Sequence, residues 1–479
     1  MKFISLLFLL IISSLAEEKI VFLLTLFRHG ARSPGEYLNK SLHLDYIFEK
    51  WDNLGELTPT GRRMHYALGL RNREIYINKK HFLSEKFDPF EILVYSTNYN
   101  RTLESVASQL QGLYPFNTGE EITEEQKSKS LPPSKISEKI KSELDKMNNN
   151  ALPFKMSLIP IRMINDKELK INVANGCYKR AAEILSNNSK NAETKLINIY
   201  QKFYEAFGQE LIKIYGKEIL TNNNFISNFC DAFIAGIAEN KKMEKINEVK
   251  IDKEKLLNSC FEFNSAIYKD IMIGDKERSL AILEVSKLLK EFTYYMKQRI
   301  DYDINKGDAQ KKVENYSKLK MIMISAHDTT LSLWEMFFIK VFLKNDDTKY
   351  IFPKFAAQLT LEVVTDNKTD SSKKKNYNDY TINCYLNDDL FFSRKVDEFI
   401  NIVESNIYDD DKLNEICLEK SNTSGEEKEK KKKNNYFHLM IVFVILTGIL
   451  IILLVFFIIK ANINKSSDIN NMNDLLVLN

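Results

Sequence analysis

The chain contains three short runs of almost uninterrupted apolar residues, and each run ends in a polar motif. The segments are KIVFLLTLFRHG (19–30), FEILVYSTNYNRT (90–102) and LKMIMISAHDTT (319–330). Apolar runs without alternation are typical of strands in a parallel sheet that is covered on both faces. Ligands bind beside the carboxyl ends of such strands, so the pattern predicts that the three polar motifs meet in one crevice.

Helical spacing of apolar residues follows the first two motifs. The segment from Thr58 begins with a threonine cap and a proline, and Met64, Leu68 and Ile75 recur at about helical intervals. The segment RTLESVASQLQGLY, from Arg101, places its leucines and its valine on one face. Both segments are typical of the crossover helices of a βαβ unit.

The pattern changes in the middle of the chain and changes back after the third motif. The middle opens with a charged, low-complexity stretch and continues through long helical patterns, whereas FAAQLTLEVVTD and NYNDYTINCYLND alternate as an antiparallel hairpin does. We therefore predict an α/β fold, a largely parallel sheet with helices on both faces, built from residues 17–115 and 311–417. A mostly helical cap insert would occupy residues 116–310.

Both ends carry membrane-related patterns. Residues 1–16 combine one lysine, a short apolar stretch and small residues, which predicts a cleavable signal peptide. The run 437–459 lacks Asp, Glu, Lys and Arg and predicts a single C-terminal transmembrane helix at 436–460. A polar stalk (418–435) would precede this helix, and a cytosolic tail (461–479) would follow it.

A signal peptide with one later span predicts a single-pass type I membrane protein whose main part is lumenal or extracellular. The basic run EEKEKKKK on the outer side opposes the positive-inside rule, but the signal peptide engages translocation first. The tail pair Leu475 and Leu476 resembles a dileucine sorting signal, but no acidic residue stands four positions before it. Delivery to the lysosome or endosome and residence at the cell surface therefore both stay open.

Composition narrows the function without identifying it. The net charge of +3 gives no indication of nucleic-acid binding. The histidines outside the motifs lack paired ligand spacing, so we expect no metal site.

The predicted outer part contains five cysteines, an odd number, in a setting where disulfides persist. Five sequons predict that it is a glycoprotein, without showing which of them carry glycans. These five sequons are Asn39, Asn187, Asn315, Asn367 and Asn422; a further sequon at Asn100 flanks a candidate site residue, and we expect it to carry no glycan.

The three motifs together present a set of side chains suited to phosphoryl transfer. The set is Arg28, His29, Arg32, Arg101, His327 and Asp328. Guanidinium groups bind phosphoryl oxygens bidentately and keep their charge, so the arginines would form a phosphate cradle. A neutral imidazole among them is a nucleophile, which makes His29 the candidate for a phosphohistidine. Asp328 would protonate the leaving oxygen, and His327 would complete the anion-binding shell.

The sequence resembles the histidine acid phosphatases of the phosphoglycerate-mutase-like superfamily, the branch of prostatic and lysosomal acid phosphatases. The resemblance is carried by FRHGARSP, GELTPTGRRMHYALG, YSTNYNRTLESVASQLQGLYP and SAHDTTLS, and it covers roughly residues 19–420. It implies an α/β domain with a helical cap, hydrolysis of phosphomonoesters and no cofactor. It also implies specific roles: His29 as nucleophile, Asp328 as proton donor, and Arg28, Arg32, Arg101 and His327 as phosphate ligands.

The resemblance further implies a disulfide between Cys177 and Cys417. The family's later cysteine is missing where this chain reads FAAQLTLE, so Cys230 lacks its usual partner, and Cys260 and Cys384 are both candidates.

Other functions and roles stay open. A phytase-like or lysophospholipid phosphatase, a mutase-type transferase and a catalytically inactive receptor-like ectodomain share the expected fold. Whether the chain forms a homodimer stays open as well.

Three single residues have alternative roles. Arg101 has Glu104 as a second potential partner, and Asp328 also suits a helix N-cap. His65 suits helix packing better than ligand binding.

Overall fold

The computed structural model describes residues 18–35, 51, 53–164, 177–217, 219, 225–272, 279–305, 318–344, 350–366 and 375–417. The predicted signal peptide, stalk, transmembrane helix and tail lie outside these residues. Among the residues that are described, no helix is both long enough and apolar enough to cross a membrane.

A seven-stranded sheet forms the centre of the fold. The strands are β1 (Glu18–Arg28), β2 (Ile92–Ser96), β3 (Arg162–Met163), β4 (Met321–Ala326), β5 (Gln358–Asp366), β6 (Tyr380–Leu386) and β7 (Asp389–Lys395). Their order is β3-β2-β4-β1-β5-β6-β7; the first four are parallel, and the last three add antiparallel neighbours. The parallel core and the β5–β6 hairpin agree with the sequence pattern.

The three motif-bearing strands are direct neighbours and end at the same height. Within the order β2-β4-β1, Ser96 of β2 pairs with Ser325 of β4, and Phe27 of β1 pairs with the same residue. All three motifs therefore leave the sheet at one edge, as parallel strands require.

Helices cover both faces of the sheet. The α-helices in the described part of the chain are α1 (Pro59–Arg73), α2 (Asn100–Leu113), α3 (Glu124–Lys129), α4 (Glu138–Asp145), α5 (Tyr178–Asn191), α6 (Glu193–Tyr215), α7 (Phe225–Ala238), α8 (Glu244–Glu248), α9 (Lys253–Ile267), α10 (Ser279–Ile304), α11 (Asp328–Phe338), α12 (Val396–Asn406) and α13 (Asp410–Cys417). Side chains of β1 alternate between the faces: Phe22 joins the cluster with α10, α11 and α12, whereas Leu23 joins the cluster with α2.

A third apolar cluster stands apart from the sheet. It is formed by α6 to α9 (Glu193–Ile267), is rich in phenylalanine, and is called the cap cluster below. Helix α10, although it lies within the predicted insert, packs against the sheet, with the ring centroids of Phe22 and Phe292 5.5 Å apart. The boundaries of the core and of the insert stay a prediction.

Helices α1 and α2 meet through their backbones. A Cβ atom on Gly69 would lie 2.0 Å from the carbonyl oxygen of Gln109, and one on Gly112 would lie 2.3 Å from the carbonyl oxygen of Tyr66 on α1, so both positions need glycine. The buried face of α1 therefore contains Gly61, His65 and Gly69. The helix predicted from Thr58 is present, with Thr58 as its N-cap, and Met64, Leu68 and Ile75 are partly buried.

Two disulfides connect distant parts of the chain. Cys177, at the start of α5, is bonded to Cys417, the last residue of α13, as the family resemblance implies. Cys230 of α7 is bonded to Cys260 of α9, which decides between the two candidate partners. Cys384 of β6 is a buried free thiol.

Helix α11 carries a buried carboxyl group, Glu335, that the sequence pattern does not reveal. The residue is 2% exposed, and its Oε2 atom has no hydrogen-bond partner in the described part of the chain. Burial raises the pKa of Glu335 from 4.5 to about 8. The folded protein therefore binds this proton more tightly than the unfolded chain does.

The Glu335→Gln variant is expected to be less sensitive to rising pH than the wild type. A raised carboxyl pKa lowers stability as the pH rises from about 4.5 to about 8, since the unfolded state loses the proton first. Over this window the wild type should lose roughly 2–5 kcal/mol more than the variant. Denaturant unfolding at about pH 5 and about pH 8 measures this, with Glu404→Gln on the surface as the control. Equal pH dependence of wild type and Glu335→Gln would contradict the assignment.

Candidate active site

Backbone hydrogen bonds connect the three motifs at the edge of the sheet. The N–H of His29, directly after β1, donates to the carbonyl of Ala326 at 3.0 Å. The N–H of Thr97, directly after β2, donates to the carbonyl of Ser325 at 3.1 Å. The segment after β4 thus lies between the other two, and the side chains of all three motifs project into one region.

Gly30 makes the turn after His29. A Cβ atom at this position would lie 2.4 Å from the carbonyl oxygen of Gly61, and the N–H of Gly30 donates to Ser105 Oγ at 3.1 Å. Glycine is required here so that the first motif can pass close to α1. The turn fixes the backbone on which His29 stands.

His29 carries its proton on Nδ1. This nitrogen lies 2.9 Å from the carbonyl oxygen of Gly30, and a carbonyl can only accept a hydrogen bond. The lone pair is therefore on Nε2. Burial lowers the pKa of His29 well below its usual value of 6.5, and the three nearby guanidinium groups lower it further. The imidazole thus stays neutral in weakly acidic solution.

Arg28 is an almost fully buried cation at the end of β1. Its Nη2 pairs with Asp328 Oδ2 at 2.7 Å, and its Nη1 donates to the carbonyl of Pro353 at 2.6 Å. The guanidinium lies over the ring of Phe355, 4.4 Å from the centroid. Burial acts to raise the pKa of Asp328, but the charges of Arg28 and Arg32 outweigh burial and hold this pKa below its usual value.

His327 is held by a hydroxyl group and an aromatic ring. Its Nε2 lies 3.0 Å from Thr97 Oγ1, and its ring meets that of Tyr99 edge-on, with centroids 4.9 Å apart. The guanidinium of Arg101 lies over the same tyrosine ring, 4.6 Å from the centroid. Burial and the charge of Arg101 lower the pKa of His327 to about 3. His327 is therefore neutral at neutral and weakly acidic pH.

Arg32 reaches from the sheet edge to the cap cluster. Its two terminal nitrogens bond both carboxylate oxygens of Asp231 on α7, at 2.8 Å and 3.2 Å. The same guanidinium donates to the carbonyl of Ser33 at 2.9 Å. One wall of the site thus comes from the cap cluster.

The structure places all six predicted site residues close enough for their charges to interact. Arg28, Arg32, Arg101 and His327 each act on the pKa of His29, and Asp328 is paired to the first of them. Asp328 is the first residue of α11 and not its cap, a position that His327 occupies. The alternative pair of Arg101 with Glu104 is not formed, because Glu104 binds Arg62 at 2.6 Å.

Four further residues shape the site and were missed in the sequence. Thr97 and Tyr99 stand inside a quoted motif, YSTNYNRT, and a search for every hydrogen-bonding or aromatic residue there would have found them. Phe355 and Asp231 have no local signal, since they contact Arg28 and Arg32 only through the tertiary fold.

A mixed α/β sheet whose parallel strands end at a neutral, buried histidine among three arginines, next to an aspartate, is suited to proteins that bind and transfer phosphoryl groups. The chain belongs to the histidine phosphatase superfamily (branch 2), whose family model matches residues 19–386.

Curated relatives with similar sequences are acid phosphatases. The chain is 25% identical to lysosomal acid phosphatase of Xenopus laevis over 260 residues, which are 52% of this chain and 57% of that protein. It is 37% identical to testicular acid phosphatase of Mus musculus over 111 residues, which are 23% of this chain and 25% of that protein. The chain thus matches little more than half of the first relative's length and a quarter of the second's.

Solved structures of similar fold are phytases. The phytase of Hafnia alvei in complex with tartrate matches with a TM-score of 0.53 at 13% identity, over 82% of this chain and 98% of that one. The phytase of Citrobacter braakii matches with a TM-score of 0.52 at 13% identity over the same shares. At this identity the likeness concerns the fold alone.

Proposed function

We propose that this chain is an acid phosphatase that hydrolyses phosphomonoesters through a phosphohistidine intermediate on His29. The observation that carries the proposal is the hydrogen bond from His29 Nδ1 to the Gly30 carbonyl, 2.9 Å long, which leaves Nε2 as the free nucleophile among three guanidinium groups. The chain retains both the proposed nucleophile, His29, and the proposed proton donor, Asp328, which favours an active enzyme over a receptor-like ectodomain.

The proposed reaction has two displacements at phosphorus. In the first, His29 Nε2 forms a bond to phosphorus, the bond to the ester oxygen breaks, and protonated Asp328 gives its proton to the leaving alcohol. In the second, the Asp328 carboxylate takes a proton from water, the water oxygen bonds to phosphorus, and the phosphorus–nitrogen bond breaks. The products are the alcohol and inorganic phosphate, and both side chains return to their initial state.

Arg28, Arg32, Arg101 and His327 are proposed to bind the phosphoryl oxygens. A bound phosphate dianion would draw the Arg28 guanidinium away from Asp328 and place a negative charge beside the carboxyl group. Both changes raise the pKa of Asp328 in the complex, which supports its proposed role as proton donor.

The proposed location is the lumenal or outer face of a membrane, with residues 436–460 as the anchor. The two disulfides support an oxidising compartment, and lysosomal acid phosphatases are among the relatives. Lysosome, endosome and cell surface all meet these conditions.

Hydrolysis of p-nitrophenyl phosphate by the purified full chain in detergent tests the proposal. With glycerol 2-phosphate, whose leaving alkoxide needs a proton, kcat should be highest in acid and should fall about tenfold per pH unit once Asp328 in the complex loses its proton. Since the pKa of His29 lies well below 6.5, kcat/KM should not fall between about pH 6.5 and about pH 5. A profile that is flat into alkaline pH, or no turnover, would contradict the proposal. Inositol hexakisphosphate and lysophosphatidate, assayed in parallel, separate the phytase-like and lysophospholipid alternatives.

A further inference from the structure

The Arg32 guanidinium is already occupied by a carboxylate of the protein. Both terminal nitrogens of Arg32 bond to Asp231, with the shorter contact at 2.8 Å, and Asp231 also acts on the pKa of Arg28. The side chain of Asp231 is 29% exposed, against 13% for Arg32. The carboxylate therefore lies beside the proposed phosphate cradle and still faces solvent.

The position of Asp231 is fixed from two directions. Its neighbour Cys230 is bonded to Cys260, which fastens α7 to α9 inside the cap cluster. Just beyond the end of α7, Glu239 accepts hydrogen bonds from Thr58 Oγ1 at 2.5 Å and from Thr60 Oγ1 at 3.1 Å. Helix α7 is thus docked on the start of α1, and Asp231 stands at Arg32 because of this docking.

Further charges of both signs lie on segments that contact the Arg32–Ser33 segment, α7 or the cap cluster. Glu239 and Glu56 are acidic, and Glu56 is held by Asn100 Nδ2 at 3.3 Å. Lys354 and Lys241 are cationic, but their ammonium groups lie over the rings of Phe261 and Trp51. Asp231 directly contacts a proposed phosphate ligand, Arg32, from the side of the cap cluster.

A carboxylate at this position is expected to distinguish phosphomonoesters by the charge of their leaving alcohol. The phosphate itself would be held by the arginines, whereas a second anionic group that the leaving alcohol carries toward the side of α7 would meet the Asp231 carboxylate. Like charges at a partly buried site repel one another more strongly than they do in water. A neutral or cationic leaving alcohol incurs no such cost.

We propose that Asp231 is a specificity-determining residue that selects phosphomonoesters with a neutral or cationic leaving alcohol and disfavours those with a second anionic group beside the phosphate. The proposal rests on the proposed function, because it concerns the alcohol side of the same site.

Two esters that differ in one group test it: glycerol 2-phosphate and 2-phosphoglycerate, in which a carboxylate replaces a hydroxymethyl group. The wild type should prefer glycerol 2-phosphate in kcat/KM. In Asp231→Asn, the ratio of kcat/KM for 2-phosphoglycerate to that for glycerol 2-phosphate should rise roughly tenfold at constant ionic strength. Asp231→Glu, which keeps the charge, should retain the wild-type ratio.

Glu239→Gln is the matched control, since it weakens the docking of α7 without changing the charge at Arg32. It should leave the ratio unchanged even if it lowers both kcat/KM values. The proposal is overturned if Asp231→Asn changes both esters by the same factor, or if Glu239→Gln moves the ratio as far. Failure of the proposed function is distinguishable, because the wild type would then release no phosphate from either ester.

Discussion

Replacing His29 with alanine is expected to abolish hydrolysis of p-nitrophenyl phosphate. The variant removes the nitrogen that would attack phosphorus, whereas the guanidinium groups that surround it remain. Loss of a catalytic nucleophile in other enzymes lowers kcat by several powers of ten, so a fall of at least roughly 10³-fold is expected here. Initial rates of p-nitrophenol release, at the acid optimum of the wild type, measure the effect.

The same variant should still bind inorganic phosphate, because Arg28, Arg32 and Arg101 are intact. Calorimetric titration with phosphate therefore separates loss of the nucleophile from loss of the site. His81→Asn is the control: His81 is exposed, and asparagine tolerates its positive φ of 47°. This control should keep wild-type activity. Substantial turnover by His29→Ala would rule out a histidine nucleophile at this position.

A covalent intermediate gives the His29 variant a second readout. Wild type mixed with labelled phosphoester and denatured rapidly at alkaline pH should retain label on the protein, since phosphorus–nitrogen bonds are cleaved in acid. His29→Ala should retain none. Label retained by the variant would place the phosphoryl group on another residue.

The sequence contained enough information to predict the sheet edge at which the site lies. Near-continuous apolar runs determine where β1, β2 and β4 stand, because both faces of these strands must be buried. Parallel strands then deliver Arg28, Arg101 and His327 to one edge whatever the intervening chain does. The antiparallel hairpin β5–β6 was predictable from a different pattern, since its polar and apolar residues alternate.

The contacts that depend on the approach of one element to another were not predictable. Strand β3 has two residues, too few for any periodic pattern, and forms only because β2 is there to pair with. The buried face of α1 contains Gly69, which packs because a second glycine on α2 permits close approach. The contact between Arg32 and Asp231 joins residues about 200 positions apart, and its sequence signal is one ordinary aspartate on a helix.

Asparagine in place of Asp328 is expected to affect substrates according to how strongly their leaving group needs a proton. An alkyl phosphate such as glycerol 2-phosphate releases a basic alkoxide, so its kcat should fall roughly 10²–10⁴-fold without the proton donor. p-Nitrophenolate is a stable anion, and its release should slow far less. The ratio of the two kcat values, and not either value alone, reports the loss of a proton donor.

Asp328 has a structural role that the experiment must separate from proton donation. Its Oδ2 pairs with Arg28 at 2.7 Å, and its Oδ1 accepts the N–H of Thr329 at 2.8 Å. Asparagine can keep one oxygen for these bonds, so part of the framework survives. A displaced Arg28 would weaken phosphate binding for both substrates equally, because both present the same phosphoryl group to the cradle. A selective loss on the alkyl ester therefore supports Asp328 as the proton donor, whereas equal losses on both esters would assign it to positioning Arg28.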